Sequence, residues 1–361
     1  MQDHSLTSRL RKLWDITFHS EAPTYTPVNF AGHGLFGQVY FCLPTDQVFL
    51  ARRSAVSDNT TTTTQQSLHS LTSKLVAVKT AGAVSLIPEI RALRTIHTQQ
   101  HSSDVVEKSF FRLIESRTDG DLAQYMVTST LPLCGNLDEL GGCIAQMPEA
   151  FTWLIYTRIH SALRFLHKTC SPAIAHGDLH QGNVLIGFSD PDVKGRGLIL
   201  PQVTLIDFGN ATFHPGEERS GNSYRDLYGV DAFSRDTDAF LRILESVASD
   251  PRPHEFDRSD YKKWWDRKKW EALLERKPLA GRTAEFNDFH KALGHGLAQG
   301  LRVNPVVLEE LWKSFGSFAE QCVADISEAD MEQIRDLVLG VAETLFEETR
   351  ESIEEILMES E

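Results

Sequence analysis

Four separated stretches of the chain carry residue types suited to holding a polyphosphate and a metal ion. In AGHGLFGQVYF, Gly32, Gly34 and Gly37 are spaced GxGxxG, and Val39 completes GxGxxGxV. Glycines let a turn approach phosphates closely and offer backbone N–H groups as donors. The same string opens dinucleotide-binding units, but there it leads from a strand into a helix. Here it runs into QVYFCL, whose composition predicts a strand. Next, LVAVKT ends an apolar strand on Lys79, an ammonium that can orient α- and β-phosphates when a carboxylate holds it. Glu89 in PEIRAL is the only carboxylate between residues 80 and 103. Following Pro88 directly, it belongs to the start of its helix.

The most specific stretch is AHGDLHQGNVLI. Asp178 can accept the proton of an attacking hydroxyl and align it, and Asn183 can hold a metal ion through its side-chain oxygen. In VTLIDFGNA, Asp207 ends an apolar strand 24 residues after Asn183. A carboxylate there can bind a magnesium ion bridging β- and γ-phosphates, and Gly209 lets the chain turn away.

At these residues, from about Phe30 to about Ala248, the sequence resembles the protein-kinase superfamily. The resemblance implies an α+β, bilobal protein-kinase-like fold, with a small strand-rich N-lobe and a larger helical C-lobe. It implies that Gly32, Gly34 and Gly37 cover the phosphates of ATP, with Val39 and Ala77 also at the nucleotide, and that Lys79 pairs with Glu89. Asp178 is then the catalytic base, Asn183 and Asp207 hold Mg2+, and residues 128 to 135 lie beside adenine. Asp236 in RDTDAFLRIL resembles the aspartate that ties a helix start to the catalytic loop; as plain chemistry it is also an N-terminal cap.

The motif set has departures. HGDLH replaces the usual HRDLK, so Gly177 stands where loop-controlled kinases carry arginine, and His180 stands where a lysine usually lies near the γ-phosphate. No APE-like string follows. Transfer to a Ser or Thr hydroxyl of a protein substrate is the expected activity. HGDLHxGN looks like the form in small-molecule kinases of the aminoglycoside or choline type, so a small alcohol acceptor is the alternative. A weakly active ATP-binding scaffold is a third reading, although it has no chemical need for Lys79, Asp178, Asn183 and Asp207 together.

The elements that must position these residues divide the chain into an N-terminal extension, 1–25, an N-lobe, 26–131, and a C-lobe, 132–361. Leu6, Leu10, Leu13 and Trp14 predict a short amphipathic helix in the extension. The Thr-rich segment 54–73 reads as a mobile surface insertion between two strands. PEIRALRTIH predicts a helix with Ile90, Leu93 and Ile96 on one face, and FFRLIES with LAQYMVTST a strand pair. After residue 136 helical periodicity dominates, interrupted by NVLIGF and QVTLIDF. The end, with eight glutamates and one arginine between Glu343 and Glu361, reads as a C-lobe helix with a solvated face. YKKWWDRKKWEALLERK reads as a surface helix with buried aromatics.

A formal net charge of −14 over 361 residues argues against nucleic acid and anionic membranes as main partners. Five scattered cysteines without a CxxC pair suggest reduced thiols and no structural zinc. With no signal-like start and no apolar run of membrane-spanning length, an intracellular, cytoplasmic or nuclear, protein is expected. Oligomeric state is not encoded in any of these features.

Overall fold

In the computed structural model, five strands pair antiparallel in the order β1-β2-β3-β5-β4: Tyr25–Gly34 (β1), Gly37–Pro44 (β2), Val76–Ala81 (β3), Leu113–Asp119 (β4) and Leu122–Ser129 (β5). The structure describes residues 24–34, 37–58, 61–81, 85–100, 108–119, 122–143, 148–190, 199–214, 232–248, 281–298 and 305–358. The amphipathic segment 5–18 and the Trp-rich stretch 261–277 lie outside them.

Register gives this sheet its working face. Val39, Lys79 and Met126 stand directly opposite one another on β2, β3 and β5, and so do Phe41, Ala77 and Thr128. Residues opposite each other, and residues two apart on one strand, share a face. Helix α3 (Ile87–Gln99) packs Ile90, Leu93 and Ile96 inward, with Pro88 in its first turn and Glu89 just behind it.

The expectation for residues 54–73 is corrected. Between β2 and β3 the chain forms two helices, α1 (Thr45–Asp58) and α2 (Thr61–Thr72). Leu71 and Thr72 are buried, and Val48 and Leu71 belong to an apolar cluster with Val28, Phe41 and Leu43 of the sheet. Polar composition hid the few apolar residues that dock this segment.

Past the sheet, Leu133–Asn136 (β6) begins a largely helical region. Strand β6 pairs with Val184–Phe188 (β8), which pairs with Gln202–Leu205 (β9); Ala173–Ala175 (β7) pairs with Thr212–His214 (β10). Short helix α4 (Leu137–Cys143) leads to α5 (Glu149–Arg164), followed by a π-turn at Phe165–Thr169. Nearly every side of α5 is buried, polar Thr152, Thr157 and His160 included. Trp153 and Tyr156 meet Phe240 of α6 (Ala232–Ala248), Phe286 and Phe289 of α7 (Ala284–Ala298) and Trp312 of α8 (Val306–Ala324).

The last helix, α9 (Glu328–Met358), has 31 residues and thus runs about 46 Å. The expectation that it belongs wholly to the helical region is corrected as well. Its second half crosses to the sheet: Asn29 Nδ2 of β1 donates to Thr349 Oγ1 at 3.1 Å, and Arg52 Nε of α1 donates to the Ile356 carbonyl at 2.7 Å. Ile353, Ile356 and Leu357 are buried in the cluster with Val48 and Leu71. The described glutamates of this half are exposed or half-buried, so the solvated face expected from composition stands beside the apolar one. No helix among the described residues is long and apolar enough to cross a membrane.

Candidate functional site

Between the sheet face and the β6–β8–β9 strands lies a cavity of about 370 Å3. Of the residues expected there, Gly32, Gly37, Val39, Ala77, Lys79, Glu89 and Asp207 line it. Asp178, His180 and Asn183 are not in its wall; they sit on the loop between β7 and β8. Gly34 faces Gly37 at the end of the β1–β2 pair.

Lys79 Nζ lies 2.7 Å from Glu89 Oε2 and 2.8 Å from Asp207 Oδ1. The Lys79 and Glu89 side chains are about nine-tenths or more buried, whereas that of Asp207 remains 27% exposed. Burial alone would lower the lysine ammonium, but the two carboxylates outweigh it and hold its pKa above the ordinary value. Burial pushes the Glu89 carboxyl up, opposed by the ammonium it touches. The ion pair of Lys79 with both carboxylates is therefore the charged centre of the cavity.

Asp207 is held at φ 64°, ψ 68°, a left-handed backbone that non-glycine residues adopt at some strain. The β8–β9 register explains its position. Val184 stands opposite Leu205, so Asn183 lies opposite Ile206, and the Ile206 N–H donates to the Asn183 carbonyl at 3.0 Å. The two expected metal ligands therefore share one end of a strand pair. Asn183 Nδ2 donates to the Asp178 carbonyl at 2.9 Å, which leaves the amide oxygen as the free acceptor. Among the described residues no group of three or more His, Cys, Asp or Glu side chains converges on one point. Magnesium does not need such a group, because it keeps waters and takes phosphate oxygens beside one or two protein ligands. Asn183 and Asp207 fit that donor set.

Asp178 is oriented by a residue the sequence motifs did not single out: Asn210 Nδ2 donates to its Oδ2 at 3.2 Å. The loop behind it is fixed by Asp236. That carboxylate accepts from the N–H of His176 at 2.7 Å and of Gly177 at 2.9 Å, and its Oδ2 lies 3.0 Å from His167 Nε2. Burial would raise the Asp236 carboxyl, but the bond and charge of His167 and the Gly177 N–H outweigh it and hold it below the ordinary range. Asp236 lies a full turn inside α6, so the plain-chemistry expectation of a helix cap is corrected: its carboxylate serves the loop, not its own helix. Fully buried His176 accepts the Asp178 N–H on Nδ1 and faces the Ile206 carbonyl with Nε2, so Nε2 carries its proton. Burial lowers its pKa against the pull of Asp236, and the ring is neutral.

Gly177 has φ +80°, and a Cβ placed there would run into the backbone carbonyl of Asn210. Any side chain at this position, arginine included, would force the two segments apart. His180 is exposed, and its Nδ1 accepts the Gly182 N–H at 3.1 Å.

From the stretch 128–135, expected beside adenine, Thr128, Thr130, Cys134 and Gly135 line the cavity; beyond the expected residues, Leu185 and Leu205 line it beneath, and so does Leu345 of α9. Asn210 could have been suspected from its place three residues after Asp207. Leu345 carried no signal beyond helical periodicity. The sequence matches no protein-family model, and no curated protein matches it.

Proposed function

We propose that this chain is an ATP-dependent phosphotransferase of protein-kinase-like fold that moves the γ-phosphoryl group of ATP to a Ser or Thr hydroxyl of a protein. The observation that carries this is Lys79, bridged to Glu89 and Asp207 in the wall of a cavity that Gly32 and Gly37 also line. Such an ammonium, kept charged and fixed by carboxylates, is suited to orienting phosphate oxygens. The antiparallel sheet with α3 beside it, followed by a helical region built on α5, is compatible with the two lobes of that fold.

Magnesium-bound ATP, when present, supplies the transferable phosphoryl group and the leaving diphosphate. Asp207 and the Asn183 amide oxygen would hold the metal. Gly32 and Gly37 allow close backbone approach to phosphates, while Val39, Ala77, Leu185 and Leu205 offer apolar surface to a base. Asp178, steered by Asn210, accepts the proton of the acceptor hydroxyl and aligns its oxygen. His180, its Nδ1 taken by Gly182, keeps Nε2–H as a donor towards phosphate.

A small alcohol as acceptor is the second reading, favoured by Gly177. Control by a phosphorylated segment needs a cationic clamp, and the backbone there leaves no room for arginine.

The test is label transfer from ATP, with generic proteins and with a panel of small alcohols and amino sugars, alongside Mg·ATP-dependent thermal stabilisation. Asp178→Asn should keep the thermal shift while turnover falls about 10²-fold or more, the scale of losing a positioned base. Asp207→Asn should lose part of the shift as well as turnover. If wild type is stabilised by Mg·ATP but transfers to no acceptor, and Asp178→Asn behaves identically, the chain is a nucleotide-binding scaffold.

A further inference from the structure

Helix α9 presents one continuous face to β6 and β1. Val341, Leu345 and Thr349 are spaced i, i+4, i+8 and so lie one above another. Val341 packs on β6, where a Cβ at Gly135 would stand 2.6 Å from its Cγ1; only glycine lets the helix come this close. Thr349 accepts from Asn29 of β1 and donates to the carbonyl of Leu345 itself at 2.7 Å. Leu345, between these two contacts, packs against the cluster containing Phe41 and also lines the cavity, as Phe41 and Gly135 do. Its place is thus at the β6 end, away from the cluster of Lys79, Glu89 and Asp207.

We infer that Leu345 is a wall of the nucleoside end of this site, so that the C-terminal helix takes part in binding the base or ribose. The inference rests on the nucleotide reading of the cavity. Its chemistry follows from position: at this end the cavity holds no cation, and its one carboxylate, Glu139, accepts the Asn136 N–H at 3.1 Å, so an aliphatic side chain here contributes to an uncharged nucleoside and nothing to a triphosphate tail. Ile353, Ile356 and Leu357 seat this half of the helix along with the Asn29–Thr349 bond, so Leu345 keeps its contact when that bond alone is lost.

Titration calorimetry on the full chain tests this with three probes, Mg·ATP, adenosine and inorganic tripolyphosphate. Leu345→Ala removes the wall, and Leu345→Phe fills the space beside it; the second variant keeps buried volume if the first fails to fold. Both should weaken adenosine and Mg·ATP by about three- to tenfold, the effect of a partial apolar contact, and leave tripolyphosphate within about twofold. Thr349→Val, which breaks the tether without touching the cavity, should leave all three affinities unchanged. The inference is overturned if wild type binds adenosine and both Leu345 variants bind it as tightly. It is equally overturned if Thr349→Val loses as much as Leu345→Ala, since the helix would then act only through its seating. A wild-type protein that binds neither adenosine nor Mg·ATP overturns the nucleotide reading and this inference together.

Discussion

His160 illustrates how a residue away from the cleft can set the acid limit of the fold. Its ring stacks on Trp312 with 4.0 Å between centroids, it is 2% exposed, and its Nδ1 has no hydrogen-bond partner. Burial first, and the charge of Arg164 second, push its pKa down to about 4 from 6.5. Between those values the folded protein binds fewer protons at this site than the unfolded chain. Its contribution to stability is therefore complete above about pH 6.5 and is lost as pH falls towards 4. The full effect corresponds to about 3 kcal/mol. His160→Phe keeps the stack and removes the proton site. Urea unfolding at pH 7 and pH 4.5 should show wild type losing about 2 kcal/mol more than the variant. Parallel losses in the two proteins would mean that His160 does not carry the acid sensitivity.

At the scale of elements, the segment between β2 and β3 shows what was legible in the sequence and what was not. The strands flanking the glycine turn, Lys79 with Glu89, and the order of Asp178, Asn183 and Asp207 could be read because each depends on short-range spacing. The Thr-rich segment could not, because it docks through Leu71, which joins Val48 of the preceding helix in a cluster with partners on β1, β2 and α9. Asp236 was half legible: its tie to the loop followed from resemblance, but its place inside α6 depended on where that helix begins. Leu71→Ala should accordingly destabilise the protein by about 2–4 kcal/mol, the range for a buried leucine truncation, although a polar surface loop would tolerate it. Deleting 54–73 should likewise lower the unfolding temperature instead of leaving it unchanged. Wild-type melting of both variants would return the segment to the status of a loose insertion.

For the whole molecule, α9 links the two regions that the cleft separates. Its first half packs Ile334, Val338, Leu339 and Ala342 into the helical core, and its second half sends Ile353, Ile356 and Leu357 into the cluster under β1, β2 and the α1–α2 pair. Ile353 and Ile356 are fully buried, and burying each such side chain contributes roughly 1.5–3 kcal/mol. Removing residues 348–361 takes away these contacts and the Asn29–Thr349 bond together. The loss of several kcal/mol is comparable with the 5–15 kcal/mol that about sets the net stability of a typical domain. It falls on one side only, because the core around Trp153 and Tyr156 keeps all its partners. Hydrogen exchange should therefore show protection falling steeply in β1, β2, α1 and α2 of the truncated chain while α5 exchanges as in wild type. Since Phe41 and Leu345 join this cluster to the cavity wall, nucleotide affinity should fall with that protection. A truncated chain with undiminished protection across β1 and β2 would show that the sheet stands without the helix, and that α9 rests on the fold without holding it.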